Sequence, residues 1–238
     1  MAYQNRLSIL IPCYNEERTI IPIIDKVMAV KLSGDTEKEV IVIDDASSDQ
    51  TVPLVRAYQK THPGIQLLQA VANNGKGACL RTGIEKATGN IIIIQDADLE
   101  YDPADYNQML KPILAGQADV VFGSRFRGSE PHRVLFFFHT IGNRFLTFLS
   151  NLFTLLNLTD METGYKMFRT GILRQLTLRE NRFGFEPEVT AKVSRIKGIR
   201  IYEVGIAYYG RTYEEGKKIN WKDGLHAVYC ILKYNLFS

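Results

Sequence analysis

Five short runs of branched apolar residues alternate with helical stripes in the first half of the chain, and that alternation leaves few folds open. Residues 7–11 (Leu-Ser-Ile-Leu-Ile) read as a strand, and Ile20, Ile23, Ile24, Val27 and Met28 follow at helical spacing. Residues 40–43 form a second strand, before a turn-rich stretch and a helix carrying Val52, Val55 and Tyr58. The unit repeats with strands at 65–68 and 91–94, a helix at 77–87, another starting near Pro103, and a fifth strand at 119–122. Strands alternating with helices pair in parallel through right-handed crossovers, so the predicted fold is α/β, a three-layer sandwich around a mostly parallel sheet. With 238 residues, 45% hydrophobic and 23% charged, the chain suits one large domain, drawn at 1–223, with a short helical tail at 224–238.

In such sheets the ligand crevice lies at the carboxyl ends of the strands. Asn15-Glu16, Asp44-Asp45, Asp96-Ala97-Asp98 and Ser124-Arg125 all stand directly after strands, which predicts one site at one sheet edge. No Gly-x-Gly-x-x-Gly follows the first strand and no phosphate-loop signature occurs, which argues against dinucleotide folds and P-loop NTPases. Asn74-Gly75-Lys76-Gly77 precedes a helix, a position that brings Lys76 and backbone amides toward a phosphate. The net charge is 29 − 26 = +3, too small for a dedicated nucleic-acid binder. Cys13, Cys79 and Cys230 are odd in number and lack metal-ligand spacing, which suits a reducing compartment. The apolar run near the amino terminus is too short for a signal peptide, and the expected location is cytoplasmic.

Two acids one residue apart in an extended segment point to the same side, and their repulsion is relieved by a cation between them. Asp96 and Asp98 therefore predict Mg²⁺ or Mn²⁺ shared with substrate phosphates, with Glu100 near the same shell. Residues 192–222 carry eight Lys or Arg against three acids, a surplus of five that suits a lid ordering on an anion. Residues 134–158 are apolar but interrupted by His139, Asn143, Arg144, Asn151 and Asn157, which argues against a spanning helix. Within them Phe145, Phe148, Leu149, Leu152, Leu155 and Leu156 recur at helical spacing, opposite Thr147, Ser150, Asn151 and Thr154. Residues 131–158 thus predict an amphipathic segment lying on a membrane surface, or packed on the core or on a second copy of the chain in a homo-oligomer.

The ordered set Ile11-Pro12-Cys13-Tyr14-Asn15-Glu16-Glu17, the Asp44-Asp45 turn, Asn74-Gly75-Lys76-Gly77-Ala78, Asp96-Ala97-Asp98 and Gly123-Ser124-Arg125 resembles family-two glycosyltransferases with the GT-A fold. Within that family it is most similar to polyprenyl-phosphate sugar synthases of the dolichol-phosphate mannose synthase type. The resemblance implies a nucleotide-sugar site made by Pro12, Tyr14, Glu16, Ile43, Asp45, Lys76, Asp96, Ala97, Asp98, Arg211 and Lys217, with Asp96, Asp98 and Glu100 on the metal. It implies Arg125, helped by Arg133, on the acceptor phosphate, and a catalytic set of Asp98, Arg125 and Asp160. Glu162 and Glu186 are weaker candidates, and Glu186-Pro187-Glu188 also suits the cap of a helix at 189–196. The implied reaction moves a hexose from GDP-mannose or UDP-glucose to a polyprenyl or dolichyl monophosphate with inversion, on the cytoplasmic face of a membrane. The alternatives are a family-two enzyme acting on a polysaccharide or protein, and a sugar-phosphate nucleotidyltransferase.

Overall fold

The computed structural model describes residues 5–128, 133–134, 137–211 and 221–237. The strands are β1 (Arg6–Cys13), β2 (Glu37–Asp44), β3 (Ile65–Gln69), β4 (Ile91–Ile94), β5 (Val120–Ser124), β6 (Lys166–Arg169) and β7 (Ile201–Gly205). The helices are α1 (Ile20–Ala29), α2 (Thr51–Gln59), α3 (Lys76–Lys86), α4 (Tyr106–Leu114), α5 (Phe137–Thr154), α6 (Thr170–Arg174), α7 (Phe185–Ser194) and α8 (Trp221–Leu236). The described strands join in one sheet of order β3-β2-β1-β4-β6-β5-β7. Every neighbouring pair is parallel except those made by β6, which runs against both β4 and β5.

Side chains alternate across each strand, and the two faces collect separate cores. Leu7, Ile9, Val40, Val42, Ile91 and Ile93 pack against the apolar stripes of α1 and α4. Leu10, Ile41, Ile43, Ile92 and Ile94 pack against α3 and α7 on the opposite face. The result is the α/β sandwich expected from the alternation, with the strands at their predicted places to within a few residues. β6 and β7 were not foreseen. The helix expected at 189–196 begins four residues earlier, at Phe185, so Glu186 and Glu188 lie in its first turn and do not precede it. Glu188 is buried and accepts from the Arg179 and Glu180 amides, which fixes the 179–180 loop.

The boundary drawn between 223 and 224 falls inside α8. This helix packs on α7 and α5, burying Ala227, Cys230, Ile231 and Tyr234. The carboxylate of Glu180 receives Tyr234 Oη at 2.6 Å and Lys233 Nζ at 3.0 Å, with His226 Nε2 also at 3.0 Å. Burial alone would raise the Glu180 pKa, but these partners outweigh it and hold the group at about 2.

α5 presents apolar side chains on two sides: Leu146, Leu149 and Phe153 pack on the core, and others face outward. Its weakly polar stripe faces inward, with Thr147 and Ser150 buried, and Thr147 Oγ1 accepts from the Met161 amide at 3.1 Å. The expected apolar stripe is split: Leu149 and Leu156 pack on the core, while Phe145, Phe148 and Leu152 face outward at 55–65% exposure, as does Leu155 just past the helix at 90%. No helix among the described residues is long and apolar enough to cross a membrane.

Candidate active site

The loops after β1, β2 and β4 meet at the carboxyl edge of the sheet, and the first two are stitched to each other. Asn15 donates its amide to Ser47 Oγ and accepts from the Ser48 amide through its own side chain. Glu17 and Asp49 exchange the same kind of bond, each carboxylate accepting a backbone N–H from the opposite loop. Thr51 Oγ1 takes the Glu16 amide at 2.8 Å. The chain turns here through a left-handed Asn15, φ 51°, a conformation asparagine tolerates better than most residues.

The edge encloses a cavity of about 760 Å³. Of the residues predicted from sequence, Pro12, Tyr14, Glu16, Asp45, Lys76, Asp96, Ala97, Asp98, Glu100, Arg125 and Arg211 line it. Ile43 does not: it lies on β2, packs against α3 and lines a separate small pocket. Arg133 does not either, since it donates its amide to Tyr208 O and a guanidinium N–H to Gly210 O. Lys217 lies outside the described residues. Asp45 is buried with both oxygens occupied by the Asn74 and Gly75 amides, so those amides are turned to Asp45 and away from a phosphate. Lys76 itself reaches the cavity.

Ile91–Ile94 is wholly buried, so β4 delivers the two aspartates rigidly to the cavity wall. Lys76 Nζ lies 2.7 Å from Asp96 Oδ1 and 3.1 Å from Glu186 Oε1, and these acids raise its pKa against the effect of burial. Arg211 Nη2 lies 2.9 Å from Asp98 Oδ2. Burial, then Glu100 and Asp96, push the Asp98 carboxyl up to about 7 despite Arg211, the signature of a site short of positive charge. A Cβ at Gly164 would collide with the Asp96 carboxylate, so glycine keeps the space beside it open. Among the described lining residues there are eight acids against four Lys or Arg, which favours a cation. The donor chemistry of Asp96 and Asp98 therefore fits a divalent ion.

Glu100, expected near the metal shell, has both oxygens engaged by the chain. It accepts from Tyr208 Oη at 2.7 Å and from the Arg211 amide at 2.8 Å, so it clamps the 208–211 segment. Among the described residues Asp96, Asp98 and Glu100 do not converge as a three-carboxylate cluster.

Asp160, expected in the catalytic set, is bound to Arg125. It is fully buried and absent from the cavity lining, and it grips Arg125 through Nε at 2.6 Å and Nη2 at 2.7 Å. Burial alone would lower the Arg125 pKa, but Asp160 raises it well above the ordinary value. Asp160 is thus a positioning residue for Arg125, and is itself held by Glu203 on β7, which accepts its amide.

Several residues escaped the sequence reading. Gln95 Oε1 accepts from Tyr106 Oη and Tyr165 Oη, locking the strand end that carries Asp96. Tyr101 stacks on Tyr165 with centroids 4.8 Å apart and receives the Gly164 amide. Phe126, Asn143, Arg182 and Phe183 also line the cavity, and none of them sits in a motif.

A family-wide sequence model, Glycosyl transferase family 2, matches residues 8–177, most of the chain. The chain belongs to glycosyltransferase family 2. Among curated relatives, this family-two chain is 27% identical to a dodecaprenyl-phosphate galacturonate synthase of Rhizobium johnstonii, over 89% of its own length and 61% of the relative. It is 29% identical to a dolichyl-phosphate beta-glucosyltransferase of Drosophila melanogaster, over 90% of its own length and 69% of the relative. The chain thus spans about two thirds of the length of these relatives. A solved glucosyl-3-phosphoglycerate synthase from Mycobacterium tuberculosis, in complex with Mn²⁺, UDP and glucosyl-3-phosphoglycerate, superposes with TM-score 0.74 at 19% identity, covering 97% of this chain and 80% of that one. That likeness establishes the GT-A fold.

Proposed function

We propose that this chain transfers a hexosyl group, such as glucose or mannose, from a nucleoside diphosphate sugar to a polyprenyl monophosphate, with inversion at the anomeric carbon. The observation that carries it is the meeting, in one cavity, of Asp96 and Asp98 at the exit of a buried strand with Arg125 and with Arg211, which is paired to Asp98. The names of the two curated relatives support the lipid phosphate as acceptor. The outward apolar residues of α5 support it further. Phe138, His139 and Asn143 line the cavity, while farther along the helix an outward apolar face offers a surface for the acceptor's chain and a bilayer.

A phosphate monoester has a second pKa near 6, so the acceptor is largely dianionic at neutral pH and needs positioning more than deprotonation. Arg125, its plane fixed by Asp160, is the cation for that phosphate. Arg211, drawn to the cavity by Asp98 and Glu100, faces the donor diphosphate. Pro12, Tyr14 and Glu16 form the rim for the base and ribose. Asp96 and Asp98 would hold Mg²⁺ or Mn²⁺, which supplies charge neutralisation for the departing diphosphate.

The test is release of nucleoside diphosphate from UDP-glucose and GDP-mannose, with and without undecaprenyl or dolichyl phosphate. Release that depends on the lipid phosphate, is lost in chelator and returns with Mn²⁺ is expected; equal release with a soluble sugar acceptor and none with the lipid would refute the acceptor. Asp98→Asn should lower turnover by roughly 100- to 1,000-fold, the scale for removing one preorganised charge-stabilising group.

A further inference from the structure

Two buried side-chain atoms on the cavity wall, Glu162 Oε1 and Arg211 Nε, have no hydrogen-bond partner among the described residues, and of the two only Glu162 is an acceptor. Glu162 stands between α5 and β6 and lines the cavity near Glu186, Lys76 and Gly164. Its Oε1 is out of contact with solvent and has no hydrogen-bond partner among the described residues. The cations nearby are committed elsewhere: Lys76 bridges Asp96 and Glu186, and Lys166 donates to the carbonyls of Met161 and Thr163. A buried oxygen left in this way costs stability unless an occupant of the cavity brings it a donor.

We infer that Glu162 reads the transferred sugar, accepting hydrogen bonds from the hydroxyls of an uncharged hexose and, together with Glu186, rejecting a uronic acid. The inference rests on the proposed donor and narrows it to the uncharged class. Burial and then Glu186 push the Glu162 carboxyl up to about 7, so at pH 8, where the donors are compared, it is largely ionised, accepts from a hydroxyl and offers no proton to another carboxylate. The wall is also acid-rich, and a third negative group set against Glu162 and Glu186 away from water meets strong like-charge repulsion. The chemistry divides the two relatives: the glucosyl donor class fits this wall and the galacturonosyl class does not.

The experiment compares kcat/KM at pH 8 for paired donors, UDP-glucose with UDP-glucuronate and GDP-mannose with GDP-mannuronate, on undecaprenyl phosphate. Binding of free UDP and GDP with Mn²⁺ is measured by calorimetry alongside. The wild-type chain should prefer the neutral sugar on the order of 100-fold. Glu162→Gln should lose about 10- to 100-fold in kcat/KM for the neutral donor and compress the preference at least about tenfold, with free nucleotide affinity held within about twofold. Glu162→Asp keeps the charge and should retain the preference at reduced kcat/KM, which separates recognition of the sugar from a purely structural role. Normal nucleotide binding with an unchanged preference in Glu162→Gln, or a wild type that takes both sugars equally, overturns this inference alone. A wild type that binds neither UDP nor GDP overturns the proposed function as well.

Discussion

Arg125 and Asp160 illustrate how a buried charge pair is used for geometry. Thirty-five residues separate them, yet the two carboxylate oxygens meet two nitrogens of one guanidinium, with Asp160 wholly inaccessible. Breaking such a pair from one side strands the other charge, so Asp160→Asn should cost about 3–5 kcal/mol of folding stability, read from urea unfolding. Unchanged stability would mean that Arg125 finds another partner. The pair also marks where sequence reading stops. Asp96 and Asp98 are legible because they follow four isoleucines and lie one residue apart. Asp160 is expected as a polar catalytic contact, and the fold ties it to Arg125. The partners of Glu100 are hidden in the same way, because Tyr208 and Arg211 are more than a hundred residues away.

Elements were legible where one physical signal dominated. The first five strands are branched apolar runs bounded by turns, whereas β6 is four residues with a basic group at each end, Lys166 and Arg169. Lys166 is buried there because backbone carbonyls of the preceding turn accept its ammonium, a solution no local pattern announces. The periodicity of α5 is visible, but which of its apolar residues turn outward is not, since that depends on Thr147 meeting Met161 and Leu149 meeting the core across the fold. Its outward face gives a direct prediction: Phe148→Asp with Leu152→Asp should markedly reduce co-sedimentation with phosphatidylglycerol vesicles while leaving UDP or GDP affinity intact. Undiminished sedimentation would assign that face to protein contacts. α8 gives another. The folded-state pKa of Glu180 lies near 2, below the ordinary 4.5, so its contribution is complete above about pH 4.5 and is lost as the pH falls toward 2. Glu180→Gln should therefore lower the urea midpoint at pH 7, and the gap from wild type should close between pH 4.5 and pH 2. A constant gap would mean that Glu180 acts by shape and not by charge.

At the scale of the whole molecule, one sheet carries two kinds of work on its two halves. The parallel half, β3 to β4, brings the β1, β2 and β4 loops to the cavity, and the half containing β6 brings Arg125, Glu162 and Gly164 to meet them from the other side. α8 then reaches back to the opening with Asp223 and Gly224 while its far end is tied to Glu180. The reciprocal stitching of the β1 and β2 loops has a consequence for timing. Because Asn15, Glu17, Ser47 and Asp49 already satisfy one another before any guest arrives, the rim near Tyr14 is built during folding and is not moulded by what enters. Deuterium uptake at the amides of Asn15, Glu17 and Ser48 should accordingly be slow in the empty protein and change little on saturation with nucleotide. The discrimination exercised at that rim would then be that of a fixed mould, quick to accept or refuse.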